Sequence, residues 1–396
     1  MIGTVAPPAT TSRAHTREAR VVPGEARGLR VLLVTARYPP FVGGTEVHTF
    51  EVGRRLAAAG NSVTVLTTDP GKQLPADETS DGVRILRVPA WPASRDWYVA
   101  PGIYRTIVRG DWDIVHCQGY HTLVAPLAMV AAWRARTPWV VTFHSGGHSS
   151  RLRNAVRGSQ RMILRPLLAR AERLIAVSNF EATLFQEQLR LPRERFAVIP
   201  NGVQLPEVIE APPATTDGTL IVSVGRLERY KGHQRLIAAL PTVAAHYPDV
   251  RLQILGSGPY ASALRRSADG AGVANRVQIG TFSAGERDEM ASLLSRAALV
   301  ALLSEYESQG IAIMEALALG RPVLITHTSA LAELADHALV RAIPLASSCE
   351  DVADAILDQL RRPAVGTTVD LPTWDTCAAA LLALYHTICR RIECAS

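Results

Sequence analysis

Lysine is almost missing from this chain. Of its 42 basic residues only Lys72 and Lys231 are lysine, so the formal charge of +6 rests on arginine. A GC-rich genome produces such usage without any functional need for arginine. Aromatic residues are also scarce, at 6%, and no basic face interleaved with stacking rings emerges. Nucleic acid is therefore not an expected partner. No run of 18 or more apolar residues occurs, which argues against a transmembrane helix. The five cysteines, Cys117, Cys349, Cys377, Cys389 and Cys394, are odd in number and show no CxxC spacing. Neither a disulfide framework nor a zinc site is indicated, and a reducing cytoplasm is the expected compartment. A GxGxxG fingerprint placed after a first strand, with an acidic residue about 20 positions on, is missing from both halves. An NAD-dependent oxidoreductase would need it.

What is present fits two globular units. The 396 residues are 47% hydrophobic and 20% charged, an ordinary soluble composition of a size that suggests two domains. Residues 1–28 are rich in Pro, Ala, Thr and Arg without a continuous apolar stretch, and read as a disordered tail rather than a secretory signal. From 29 to 203, apolar runs such as "RVLLVTARY" (30–38), "SVTVLTT" (62–68), "VRILRVP" (83–89), "DIVHCQ" (113–118), "PWVVTFH" (138–144) and "RLIAVSN" (173–179) alternate with helical patterns. Strands apolar on both faces belong in a parallel sheet covered by helices. One such helix is predicted over "TEVHTFEVGRRLAAAG" (45–60), with Gly60 as its stop. Residues 204–218 carry Pro, Ala and Thr without periodicity and read as a linker. The alternation resumes over 219–372 with "TLIVSVGRL", "RLQILGSG", "RVQIGTF", "ALVALLS" and "RPVLITH". Residues 373–396 hold a final amphipathic helix, "WDTCAAALLALYHTICRRI" (374–392), assigned by pattern to neither sheet. The fold class is α/β, with two Rossmann-like domains facing a central cleft.

In such sheets ligands bind beyond the carboxyl ends of the strands, and several polar segments fall there. "SEYESQGIAIMEALALG" (304–320) places Glu307 and Glu315 eight positions apart. Ile311, Met314 and Ala318 recur at i, i+3 and i+7, which predicts a buried helix face. Glu315 shares that face, while Glu307 is expected in the loop before the helix. A buried carboxylate needs hydrogen-bond donors, either a structural partner such as an Arg or a hydroxylated ligand over the helix N-terminus. In "VGRLERYKGH" (224–233), Arg226 ends a strand and Lys231 precedes a helix. A fork and a point charge on a diphosphate fit that spacing, and so does a solvated turn. "PPFVGGTE" sets Gly43 and Gly44 before a helix, as an anion site or as a tight turn. His144 in "TFHSGG" ends another strand, as a packed or surface residue or as a catalytic one. Ser178, Asn179 and Asn201 lie in turn-like sequence and receive no chemistry.

Taken in order and spacing, "GGTE", "TFHSGG", "AVSNF", "IPNGV", "VGRLERYKG" and "ESQGIAIMEALALG" resemble the retaining glycosyltransferases of family 4. The resemblance spans residues 30 to 392, and the E-x7-E pair is its most specific part. It implies the GT-B fold, with the C-terminal helix from Trp374 crossing back onto the first domain. It also implies a nucleotide-diphosphate sugar (UDP- or GDP-sugar) as donor, with transfer to an acceptor hydroxyl of a lipid, polysaccharide or natural product. By the same resemblance Glu315 would hold the ribose hydroxyls, and Glu307 would lie near the donor sugar and its reacting carbon. Arg226 and Lys231 would neutralise the departing diphosphate, helped by the amides of Gly310, Ile311 and Ala312. Gly43 and Gly44 would let the first domain approach the donor, and His144 would contact its sugar. The resemblance further implies a metal-independent enzyme without a cofactor. One residue departs from the pattern: Gln309, before Gly310, stands where the family has an aromatic or bulky apolar side chain.

Two rival readings remain, another GT-B nucleotide-sugar enzyme such as an epimerase and a non-catalytic sugar-binding protein. One segment stands outside the family pattern. In "RLRNAVRGSQRMILRPLLARAER" (151–173), Arg153, Arg157, Arg161 and Arg165 form one like-charged helical stripe, with Val156, Ile163, Leu164, Leu167 and Leu168 on other faces. Anionic company would relieve its self-repulsion, so peripheral contact with an anionic membrane, on its inner face, competes with simple solvation.

Overall fold

The computed structural model describes residues 28–394 apart from 42, 93–98, 146–150, 204–217, 283–285 and 362–369, with the backbone alone over 151–157 and at 287. The expected tail (1–28) and linker (204–218) thus lie outside the described residues save for Gly28 and Gly218.

The first half builds an eight-stranded sheet from β1 (Arg30–Val34), β2 (Ser62–Asp69), β3 (Asp77–Ser80), β4 (Val83–Pro89), β5 (Ile114–Gln118), β6 (Trp139–Thr142), β7 (Arg173–Ala176) and β8 (Phe196–Val198). Their order in space is β3-β4-β2-β1-β5-β6-β7-β8, all parallel except the β3–β4 pair. The helices α1 (Gly44–Ala58), α2 (Pro101–Arg109), α3 (Val124–Ala135), α4 (Arg151–Leu168) and α5 (Asn179–Leu189) connect them. The second half forms a six-stranded parallel sheet, β11-β10-β9-β12-β13-β14. Its strands are β9 (Leu220–Val224), β10 (Arg251–Leu255), β11 (Val277–Gly280), β12 (Leu299–Leu302), β13 (Val323–Thr326) and β14 (Val340–Ile343). Its helices are α6 (His233–His246), α7 (Ala261–Gly270), α8 (Arg287–Arg296), α9 (Ile311–Ala318) and α10 (Cys349–Arg361).

Burial explains why these segments are strands. β2 is buried from Val63 to Asp69 and β5 throughout, because helices cover both faces of a parallel sheet. The exceptions are the strands that pattern reading misses. β3 (DETS) is polar and mostly exposed at an edge, and β8 and β14 are short and only partly buried. In each sheet the strand order reverses once, at β1/β5 and at β9/β12, and the crevice at such a reversal is where ligands bind. The loops after β1, β9 and β12 carry most of the candidate residues, and His144 follows β6.

The last helix, α11 (Trp374–Glu393), returns to the first sheet. Thr373 caps it with a reciprocal side-chain box, worth about 1 kcal/mol. Trp374, Cys377, Leu381, Tyr385 and Ile388 form its buried stripe and pack with Val31, Leu33, Val52 and Leu56 of β1 and α1. Full burial of a large apolar side chain stabilises by roughly 1.5–3 kcal/mol, so the stripe fastens the chain end firmly to the opposite half. Gly202 permits the crossing, since a Cβ there would stand 2.0 Å from the backbone nitrogen of Trp374.

Candidate active site

The second sheet supplies charge. Glu307 lies in the loop between β12 and α9 and is 9% exposed. Its Oε1 accepts from Lys231 Nζ at 2.5 Å and from Ser304 Oγ at 2.7 Å, while its amide donates to Ser329 Oγ at 2.8 Å. Ser329 holds a left-handed backbone, with φ of 50°. Such strain costs of order 1–3 kcal/mol and collects at functional sites. Lys231 Nζ lies 5.4 Å from the centre of the Tyr230 ring. Arg226 is half-exposed, donates to the Tyr230 hydroxyl at 2.5 Å and lies 3.3 Å from Glu228. The ends of β9 and β12 thus bring Lys231 and Glu307 into contact, with Arg226 on the same Tyr230 that lies beside Lys231.

Gly310 caps α9 with φ of 80°, and a Cβ there would meet Leu331 at 2.8 Å. Glycine is needed at this position on both counts. The amides of Ile311 and Ala312 follow in the first turn, where the macrodipole favours an anion. Glu315 is 5% exposed in the second turn, on the inward side as expected. The buried face is Ile313, Met314, Ala316 and Leu317, whereas Ala318 is exposed. The expected Ile311–Met314–Ala318 stripe is corrected accordingly: the short helix lays its middle on the sheet and leaves its first turn at the cleft.

The first sheet supplies neutral polar groups. A Cβ on Gly44 would lie 3.7 Å from Ile311 Cδ1, so the N-termini of α1 and α9 face each other across the cleft. At the first of them stands a residue the sequence reading passed over. Glu46 folds back on Gly43, where a Cβ would meet its Oε2 at 2.3 Å. Burial raises its pKa, opposed by its own backbone hydrogen bond and by Arg37 and Arg226. An anion at the Gly43–Gly44 turn would have to displace this carboxylate. The acidic residue in the first turn of "GGTE" was the available signal.

His144 adopts a left-handed backbone, with φ of 45°. Its Nε2 lies 2.7 Å from Gln118 Oε1, and the Gln118 amide nitrogen lies 3.3 Å from His116 Nδ1. An amide oxygen only accepts, so His144 carries its proton on Nε2 and offers Nδ1 as an acceptor. Burial, then His48, His116 and His121, holds its pKa well below 6.5. It is a neutral hydrogen-bonding group near neutral pH. His116, fully buried, bridges Tyr385 of α11 at 2.6 Å and Thr142 at 2.7 Å. Glu181 anchors the loop after His144: its carboxylate accepts from the amides of Ser145 (2.7 Å) and Val177 (2.9 Å) and from Ser145 Oγ. Ser178 caps α5 by accepting from Glu181 N at 3.1 Å. The S-x-x-E spelling of 178–181 is the signal that would have found this pair.

Contacts between the halves cluster around the same loops. Tyr306 reaches Ser145 Oγ at 2.5 Å and packs edge-on to Phe180. Glu333 accepts from the Phe180 amide at 2.6 Å. Gln309 accepts from Asn201 N at 2.8 Å and donates to Asn201 O at 3.1 Å. Asn201, read as an ordinary turn residue, is buried and joined to His48.

Residues 42–206 match the family model described as Glycosyltransferase Family 4, and residues 206–365 match the one described as Glycosyl transferases group 1. A glycogen synthase of Mycobacterium tuberculosis is 30% identical over 337 residues, covering 77% of this chain and 80% of that protein. A phosphatidyl-myo-inositol mannosyltransferase of Mycolicibacterium smegmatis is 29% identical over 367 residues, covering 87% and 90%. Among solved structures, a sucrose-phosphate synthase from Thermosynechococcus elongatus superposes with a TM-score of 0.73 at 23% identity, over 92% of this chain and 99% of that one.

Proposed function

The chain belongs to glycosyltransferase family 4 and has the GT-B fold; from that premise we propose that it transfers a sugar, with retention of configuration, from a nucleoside-diphosphate sugar to an acceptor hydroxyl. One observation carries the reading. Two helix N-termini converge at Gly44 and Ile311 beside Arg226 and the Lys231–Glu307 pair, and dipoles with cations are what a departing diphosphate needs. The bond from the anomeric carbon to the phosphate oxygen breaks and its electrons leave with the diphosphate. The acceptor oxygen bonds to the same face of that carbon, and its proton passes to the leaving phosphate. In this reading Glu315 holds the ribose diol, Glu307 flanks the sugar and keeps Lys231 in place, and His144 Nδ1 accepts from a sugar hydroxyl. Charge neutralisation is assigned to side chains and amides, without a metal; full activity in excess chelator is the expected result. Incubation with UDP-, GDP- and ADP-sugars and an acceptor panel, read by mass spectrometry and by NMR of the new bond, tests the proposal. A retained anomer supports it, an inverted anomer overturns retention, an epimerised nucleotide sugar favours the epimerase reading, and binding without turnover favours a sugar-binding protein.

A lipid acceptor is favoured by one surface. Met162 and Ile163 on α4 are 72% and 74% exposed, near Arg161, and Trp133 on α3 is 57% exposed beneath Arg170. Large apolar side chains with basic neighbours suit an anionic membrane surface, which would place the protein peripherally on the cytoplasmic leaflet. The arginine stripe itself is narrower than expected. Arg153 and Arg157 lie outside the described side chains, and Arg165 donates to the carbonyl of Leu189 at 2.7 Å, an internal role. Flotation with anionic vesicles at low salt tests the surface, and absence of binding would remove it.

A further inference from the structure

We propose that Gln309 is a positioning residue that couples closure of the two halves to the orientation of His48 and, through it, His144; the inference rests on the transferase reading above. Gln309 stands two residues after Glu307 and immediately before Gly310, the N-cap of α9. It is 7% exposed and its carboxamide reaches across to Asn201 of the first half. Its carboxamide pairs both ways with a single residue, accepting from Asn201 N and donating to Asn201 O. A carboxamide carries a donor and an acceptor on one carbon, the arrangement that matches the N–H and C=O of a single residue. The aromatic or bulky apolar side chain of the family's pattern could pack here but could not make this clasp.

The clasp continues into the first half. The Asn201 side chain, on the residue so held, lies 2.7 Å from His48 Nδ1 through its oxygen, so His48 carries its proton on Nδ1. His48 Nε2 is buried and has no hydrogen-bond partner among the described residues. Among the described residues the Asn201 bond is therefore the one polar restraint on this ring, which is 1% exposed. The ring meets His144 edge-on at 4.5 Å between centroids and Trp374 at 5.9 Å. Gln309 thus fixes Asn201, Asn201 fixes His48, and His48 forms one wall against His144. The same side chain borders the Glu307 loop and the α9 amides, so a shift at one end is felt by groups of both halves. A misplacement of about 1 Å far from the reacting atoms can cost on the order of a hundredfold in rate.

Two variants separate the clasp from the relay. Gln309→Met keeps the volume and loses both bonds; Asn201→Ala keeps the backbone that Gln309 grips and releases His48. Each is compared with wild type in kcat, donor KM, calorimetric affinity for UDP and GDP, and radius of gyration by solution scattering with and without nucleotide. For Gln309→Met, kcat should fall about tenfold or more, with nucleotide affinity within about twofold of wild type and a larger radius of gyration. For Asn201→Ala, kcat should fall similarly with an unchanged radius. Wild-type kcat and radius in Gln309→Met would overturn the proposal, because a space-filling role survives that change. Nucleotide affinity lost in parallel with kcat would overturn it too, as it would show a collapse confined to the Glu307 loop. If the wild-type protein transfers no sugar from any donor, the transferase reading fails by itself. The scattering comparison needs no turnover and still decides the clasp, and an unchanged radius then overturns it.

Discussion

The two halves meet the cleft with different chemistry. The second sheet presents ions: Lys231 paired with Glu307, half-exposed Arg226, and buried Glu315 in α9. The first sheet presents His48, His116 and His144, kept neutral by burial and joined through Asn201, Gln118, Thr142 and Tyr385. Ions bind a charged diphosphate at long range, whereas neutral groups in fixed tautomers discriminate hydroxyl positions at short range. In the proposed mechanism the division assigns binding to one side and positioning to the other.

The largest expected break of that division is Lys231→Ala. It strips a cation from the diphosphate and leaves Glu307 buried without its ion-pair partner, a loss of roughly 3–5 kcal/mol when such a pair is split. Turnover, nucleoside diphosphate affinity and melting temperature should all fall, while Arg226→Ala, at a half-exposed position, should lower affinity more modestly. Wild-type affinity in both variants, measured by calorimetry, would remove the phosphate cradle.

Next come the two glutamates, which should fail differently. Glu315→Gln loses charge-assisted acceptance from the ribose diol and should weaken donor and free nucleotide alike, by about 1.5–3 kcal/mol. Glu307→Gln and His144→Gln should lower kcat and leave free nucleotide binding nearly unchanged, since that ligand lacks the sugar. The reverse pattern would contradict the assignment.

Acid should separate the halves by stability. Burial holds His48 at a pKa of about 4 against an ordinary 6.5, and His116 and His144 are lowered too. The second half has His233, lowered to about 4. For a lowered pKa the unfolded chain takes the proton first, so this stability is full above pH 6.5 and is lost as pH falls toward 4. His48 and His233 each represent of order 3 kcal/mol, and His116 and His144 act in the same direction. Hydrogen exchange at pH 5 against pH 7.5 should show the first sheet opening preferentially, and equal protection loss in both sheets would contradict the count. The smallest effect is expected at Glu46, which sits over Gly43 where an anion would bind. Glu46→Gln should tighten nucleoside diphosphate binding by about 0.3–1 kcal/mol; weaker binding would show that Glu46 helps the site through Arg37 or Arg226 instead.

How far the sequence could be read follows the same division. Apolar runs buried on both faces announced β1, β2, β5, β9 and β12, and the reversals at their carboxyl ends located the cleft. β3, β8 and β14 carry little apolar signal because they lie at edges or are short. On the charged side, Arg226, Lys231, Glu307, Gly310 and Glu315 stand close in sequence around two strand ends, so spacing brought them out. On the neutral side, His48, His116, Gln118, Asn201 and Glu181 are scattered over α1, β5, α5 and the loop after β8, and only tertiary contact assembles them. Gln309 was legible as a departure, but its partner across the cleft was not, since that pairing joins residues 108 positions apart.

The most direct measurement is hydrogen exchange of the wild-type protein with and without the nucleoside diphosphate that it binds. Protection concentrated at 225–232 and 307–316, with little change at 116–118, is the predicted result. Protection concentrated on the first sheet, with the β9 and β12 loops unchanged, would contradict the assignment of the donor to the charged half.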